Sequence, residues 1–164
     1  MKLIILSCRC SGTQFTAKLL RKANLDFGHE IIRKNGVIGW SCVGQEDAFF
    51  KDFDYILHQV RNPRDVIRTL PPRNDFSWNY VKKILGKNIP KNELERNLWF
   101  WTEWNKLCES RAQLTYRVED LPTMELENIN TKRKRLPRLS WDEIKNIYLP
   151  AYLLAEKYGY INPQ

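Results

Sequence analysis

No apolar run in this chain comes near the roughly 18 residues that a membrane-crossing helix needs. The first such run, Leu3–Leu6, is too short even for the core of a signal peptide. The mature protein is therefore expected to begin at this segment and to work in the cytoplasm, away from membranes. Four cysteines (Cys8, Cys10, Cys42 and Cys108) form no C-x-x-C pair, and only two histidines accompany them. That pattern argues against a zinc site and for a reduced compartment. Cys8 and Cys10 read as small loop residues rather than a redox pair. Both common phosphate-loop spacings are missing, the G-x-x-x-x-G-K-[ST] of nucleoside triphosphatases and the G-x-G-x-x-G of dinucleotide folds. Without the Walker lysine, a P-loop kinase is a distant reading. There is no internal repeat and no low-complexity tract.

What is present is an ordinary globular composition. The 164 residues are enough for one domain with a continuous core. Hydrophobic residues make up 43% and charged residues 28%, which suits a soluble fold. Lys+Arg number 27 against 19 Asp+Glu, a net charge of +8. Such an excess favours anionic partners: nucleic acid, a nucleotide with several phosphates, or a polyanionic glycan. Charge alone does not choose among them.

Periodicity predicts strands alternating with helices. Residues 2–7 read as a buried strand, and residues 12–23 as a helix with Phe15, Leu19 and Ala23 on one face. Asn35-Gly36 marks a turn, with a short edge strand over Val37–Trp40. A second strand, Tyr55–Val60, runs into Arg61-Asn62-Pro63, and Pro63 opens a helix carrying Asp65 to Leu70 until Pro71-Pro72 stops it. A small helix is expected within the aromatic excursion 73–92. Helix 92–110 carries the stripe Leu94, Leu98, Trp101, Trp104 and Cys108. Leu114–Val118 is a third core strand. The basic run Lys132–Arg135 lies in a loop, Ser140 opens a capping box with Glu143, and Pro150 kinks or divides the last helix. This order predicts an α/β fold, a three-layer sandwich around a central, mainly parallel sheet.

In such sheets ligands bind beyond the carboxyl ends of the strands. The turn Cys8–Gln14 joins a strand end to a helix start, where backbone N–H groups form an anion site. Gly12 permits close approach, Ser11 and Thr13 add hydroxyls, and Arg9 adds charge. The competing reading is a plain strand-to-helix turn. Arg61 and Thr69 repeat the logic, since a guanidinium and a hydroxyl can jointly hold a phosphate. Against this stand a salt bridge from Arg61 to Asp65 and a Thr69 hydroxyl bonded to its own backbone. His58, inside an apolar strand, reads as a core histidine. The Trp99, Trp101 and Trp104 cluster reads as helix core, with Trp99 a candidate wall of an acceptor pocket.

Four segments in order carry a family resemblance: Ser11-Gly12-Thr13, Gly28-His29-Glu30, Val60–Val66 followed by Thr69, and Tyr116–Leu121. Together they resemble the sulfotransferases that use 3′-phosphoadenosine 5′-phosphosulfate (PAPS), closest to the small bacterial and phage-like branch. The likeness runs from Ser7 to about Leu121, with a weaker echo at Asn130–Arg133 and Ser140-Trp141. It implies a P-loop-like sulfotransferase fold, no metal, and transfer of a sulfuryl group to a hydroxyl of a small-molecule or glycan acceptor. By resemblance, Arg9, Cys10, Ser11, Gly12, Thr13, Gln14 and Phe15 cradle the 5′-phosphosulfate. Arg61 and Thr69 take the 3′-phosphate, and Lys132 and Arg133 close over the nucleotide. His29 and Glu30 are the candidate bases, and the 73–92 excursion contributes to the acceptor pocket. The family usually has Lys or Arg directly before Ser-Gly-Thr; here that residue is Cys10, and Arg9 stands one position earlier. Two rivals remain: a PAPS-binding module without turnover, and a basic nucleic-acid-binding protein using residues 132–138, although nucleic acid is not the expected partner.

Overall fold

The computed structural model describes residues 1–71, 77–122 and 136–161. These residues fall into two compact units, one holding 1–61 and 105–122, the other 62–71, 77–104 and 136–161. Lys132 and Arg133 lie outside the described residues, as do Arg73 and Phe76 of the excursion.

The first unit is built on a parallel sheet. Its strands are β1 (Leu3–Ser7), β2 (Phe27–His29), β3 (Gly36–Gly39), β4 (Tyr55–Val60) and β5 (Leu114–Arg117), in the order β2-β3-β1-β4-β5. All four pairings are parallel. The chain is thus α/β, as the alternation of elements predicts. β1 sits centrally and is buried from Ile4 to Ser7, which explains its unbroken apolar reading.

Register assigns the two faces. Leu6, His58 and Thr115 share one row, while Ser7, Gln59 and Tyr116 share the next. Helix α1 (Thr13–Lys22) covers the Gln59 face, where Ile5, Ala17, Phe27 and Ile38 form a core with Leu20 packed against it. α1 therefore turns Thr16, Ala17 and Leu20 inward. Phe15 and Leu19 are only half-buried and Ala23 is exposed, so the expected stripe is rotated by about a residue. On the other face, His58 Nε2 lies 3.0 Å from Asn105 Oδ1 and Nδ1 lies 3.2 Å from Thr115 Oγ1. His58 is the fully buried, satisfied core histidine expected of it.

Two strand expectations need correction. Val37–Trp40 is not an edge: β3 lies between β1 and β2, and Phe27–His29 is the edge instead. Parallel neighbours usually need a crossover of about a dozen residues. Here β2 and β3 are joined by residues 30–35 alone, a loop closed by the Arg33–Gly36 bridge. Glycine makes this possible: a Cβ on Gly28 would sit 1.6 Å from the Ile31 carbonyl oxygen, and one on Gly36 1.8 Å from that of Leu3. Leu114–Arg117, expected in the core, is the opposite edge and is half-exposed. Helix α2 (Asp47–Phe50) completes this unit; Arg111 pairs with Asp47 at 2.7 Å and lies over the Phe50 ring.

In the second unit, α3 (Pro63–Val66) is capped by Asn62, whose side chain accepts from the Arg64 N–H. The helix ends at Val66, so Thr69 lies in the following turn and not two turns along a helix. α4 (Ser77–Leu85) is the small helix expected in the excursion. It packs Trp78 edge-on to Phe100 of α5 (Glu93–Arg111), at 5.3 Å between ring centroids. Trp78 and Trp99 are both buried. Their burial agrees with the reading of Trp99 as helix core. Ser140 and Glu143 form the expected capping box of α6 (Trp141–Ile147), and Tyr148 separates it from α7 (Leu149–Lys157), which has Pro150 in its first turn. Pro150 divides the last helix. No helix among the described residues is long and apolar enough to cross a membrane.

Candidate anion-binding site at the carboxyl end of the sheet

Parallel strands place all their carboxyl ends along one side of the sheet, and every strand delivers a residue there. The chain leaves β1 for β2 and β3 on one side, then returns to β4 on the other. β1 and β4 therefore flank the switch in strand order where α/β sheets open a crevice. The turn after β1 and Arg61 after β4 occupy this position.

The turn itself has an unusual backbone. Cys10 has φ 67° and Gly12 has φ 84°, both left-handed. Such a conformation in a non-glycine residue persists only where its surroundings enforce it. Gly12 is also the N-cap of α1 and supplies no capping side chain, and no acidic residue lies in the first turn. Asn62 and Ser140 cap α3 and α6 with side-chain oxygens; α1 has no such acceptor. The first N–H groups of a ten-residue helix are thus left for an anion, with the helix dipole adding attraction.

Two buried hydroxyls point to the same chemistry. Ser7 Oγ and Ser11 Oγ are sealed from solvent and have no hydrogen-bond partner among the described residues. The neighbour recorded for the Ser11 hydroxyl is the Cys8 thiol, a weak partner. Burial raises the Cys8 pKa well above its usual value, with Cys10 and Cys108 adding to the rise. Cys8 therefore stays a protonated, unreactive packing residue.

The turn is held from three sides. Gln59, fully buried on β4, donates from Nε2 to the Ser11 carbonyl at 2.7 Å. Its Oε1 accepts from Thr16 Oγ1 of α1 at 2.6 Å and from Tyr116 OH of β5 at 2.9 Å. Burial pushes the Tyr116 phenol pKa upward, so it remains a donor. Arg61 Nη1 donates to the Cys10 carbonyl at 3.1 Å. Val118, just beyond β5, lies where a Cβ on Gly12 would come within 3.2 Å of its Cγ2. Sequence reasoning missed Gln59, Tyr116 and Val118 as parts of this site. The available signal was a glutamine beside a histidine in an otherwise apolar strand.

The candidate bases separate. His29 ends β2 with Nε2 2.9 Å from Thr13 Oγ1, in the first turn of α1. Burial lowers its pKa from the ordinary 6.5; Glu30 opposes that shift and Arg21 adds to it. The imidazole is thus neutral at neutral pH. Glu30 turns away, its carboxylate accepting from the Trp40 N–H at 3.0 Å and the Ser41 hydroxyl at 2.7 Å. The Arg9 guanidinium lies 5.5 Å from the Trp40 ring centre. Gln14 is exposed and Phe15 half-buried in the first turn of α1.

The structure thus brings Arg9, Cys10, Ser11, Gly12, Thr13, His29 and Arg61 to one end of the sheet. Thr69 belongs to the second unit, where its hydroxyl donates to the Val66 carbonyl at 3.0 Å. That is the self-bonded geometry weighed above. Among the described residues, no group of three or more His, Cys, Asp or Glu side chains is placed to hold a metal ion. No family model matches the chain, and neither a curated protein nor a solved structure matches it.

Proposed function

We propose that the chain is a PAPS-dependent sulfotransferase acting on a hydroxyl of a small-molecule or glycan acceptor. The observation that carries this reading is the turn after β1. A left-handed glycine opens an uncapped helix beside two buried serine hydroxyls, with Arg9 and Arg61 close by. A donor with a tetrahedral anion fits those groups, because together they bring hydrogen-bond donors and positive charge to one end of the sheet. The order of motifs resembling the family selects PAPS among such donors.

The bound donor would supply an activated sulfuryl group attached through a phosphate oxygen. The chain's own residues would then act by position and charge. N–H groups of the first turn of α1, with the Ser11 hydroxyl, orient the anion. Arg9 meets negative charge that grows on the transferring group and the leaving oxygen. His29, neutral and at the end of β2, accepts the acceptor's proton on its imidazole. Arg61 is assigned the 3′-phosphate. The roles of Thr69, Lys132 and Arg133 rest on the family resemblance alone.

A thermal-shift comparison of adenosine 3′,5′-bisphosphate with ATP, AMP and sulfate tests the reading. Specific stabilisation by the bisphosphate supports it, and no shift at saturation sinks it. One observation favours a second reading: Cys10 holds the position where the family places a cation. A binding module without turnover would retain bisphosphate affinity and show no sulfuryl transfer. Arg9→Ala separates the two, since an enzyme loses about 100–1000-fold in rate while keeping most of its bisphosphate affinity.

A further inference from the structure

Among the described residues, Glu30 is one of three non-glycine residues with a left-handed backbone, at φ 59°. The conformation turns the chain sharply after β2, so that neighbouring side chains address different targets. His29 meets the first turn of α1, and Glu30 meets the segment that follows β3. Both Glu30 oxygens are engaged there, by the Trp40 N–H and the Ser41 hydroxyl. Gly39 leaves the space for this: a Cβ at that position would lie 2.6 Å from Glu30 Oε2. The clamped residues open a 3₁₀ turn, Ser41–Gly44. The ring of Trp40 then lies against the Arg9 guanidinium, within the distance at which a cation and an aromatic face attract.

We propose that Glu30 is a positioning residue and not the proton acceptor. It clamps the Trp40–Ser41 turn so that the Trp40 ring holds the Arg9 guanidinium at the mouth of the anion loop. A long arginine side chain has many rotamers, of which the Trp40 contact favours one, and position 10 offers no cation to share its task. The clamp gives Arg9 a defined direction before a ligand arrives. It also leaves His29 as the base. The proposal rests on the sulfotransferase reading for the purpose of the device, although the device itself is a property of the protein alone.

Its test uses four variants of the full chain: Glu30→Gln, Glu30→Ala, Trp40→Leu and Trp40→Phe. Glutamine keeps an acceptor for the Trp40 N–H and can still pair with the Ser41 hydroxyl, but it cannot take a proton. Turnover is read as release of adenosine 3′,5′-bisphosphate from PAPS with water as acceptor, and affinity by calorimetry with the bisphosphate. Glu30→Ala and Trp40→Leu should each lower turnover by about 100-fold, the cost of losing one electrostatic group. Bisphosphate affinity should fall far less than turnover in both, because the charge that Arg9 meets grows only as the sulfuryl group is transferred. Glu30→Gln and Trp40→Phe should retain most of the turnover. A Glu30→Gln variant as slow as Glu30→Ala makes Glu30 the base and overturns the proposal, as does full turnover in Trp40→Leu.

A second measurement needs no ligand. The Arg9 side-chain NMR signals should carry a ring-current shift from Trp40 that survives Glu30→Gln and disappears in Glu30→Ala. A shift that persists in Glu30→Ala overturns the proposal. If the wild-type protein binds no bisphosphate, the donor reading fails, and the Arg9 signals alone decide whether Glu30 positions this side chain.

Discussion

Replacing Gln59 by leucine removes three hydrogen bonds at once, two of them buried, and leaves three oxygens to find new partners. Those oxygens are the Ser11 carbonyl, the Thr16 hydroxyl and the Tyr116 hydroxyl. A buried polar group stripped of its partner costs about 1–3 kcal/mol. Thr16 recovers part of this, because a helical threonine can bond back to the carbonyl one turn earlier. Tyr116 is only partly buried and recovers part from water. The Ser11 carbonyl recovers least, since Gln59 reaches it in a sealed position. The sum is about 3–5 kcal/mol, at the upper end of single-residue effects. For a chain of this length that corresponds to a fall in Tm of roughly 6–20 °C. Urea unfolding should show a lower midpoint with an unchanged slope. Tyr116→Phe removes one of the two donors to Oε1 and should cost only about 1 kcal/mol. A loss below about 1 kcal/mol in Gln59→Leu, or equal losses in both variants, would refute the view that Gln59 organises the turn.

Four further outcomes follow from the same geometry. Gly12→Ala forces a side chain into a left-handed backbone beside Val118 and should cost about 1–2 kcal/mol in urea unfolding. Gly28→Ala should cost more, because the added carbon meets a backbone oxygen; amide exchange over residues 27–39 should lose its protection. His29 has a pKa lowered on folding, so below pH 6.5 the unfolded chain binds more protons than the folded one. Stability from this residue is complete above pH 6.5 and lost as pH falls toward the folded pKa, and His29→Asn should flatten that part of the pH profile. Finally, Cys8 and Cys108 are sealed with raised pKa values, and burial with the nearby Glu30 pushes Cys42 up to about 12. Iodoacetamide at pH 8 should therefore label the native protein at Cys10 and spare the other three, as peptide mapping would show.

Much of the framework was legible because it is local. β1 and β4 announce themselves as short apolar runs, α5 as a stripe of large side chains, and α6 by its capping box. The turn after β1 was legible for the same reason, since Arg9, Ser11, Gly12 and Thr13 are adjacent in the chain. What stayed hidden depends on pairing between distant segments. β2 is a three-residue strand with a glycine in its middle, and its parallel partner follows after a loop too short for the usual crossover. Gly28 and Gly36 were the only clue, and glycines at that spacing suit many turns. Gln59 and Tyr116 meet because β4 and β5 pair in one particular register. Glu30 was a candidate base by family resemblance; its left-handed backbone, which turns the carboxylate to Trp40 and Ser41, has no local signal in the sequence.

The Gln59 contacts also bear on when the site can exist. Its bonds reach Ser11, 48 residues away, Thr16, 43 away, and Tyr116, 57 away. Contacts of such separation close late, because the entropy of the intervening loop must be lost before they form. β1, its turn and α1 leave the ribosome before β4 and β5, yet their final geometry waits for β4 and is finished by β5. A nascent chain that ends before β4 carries the whole turn and lacks the Gln59 bonds that shape it.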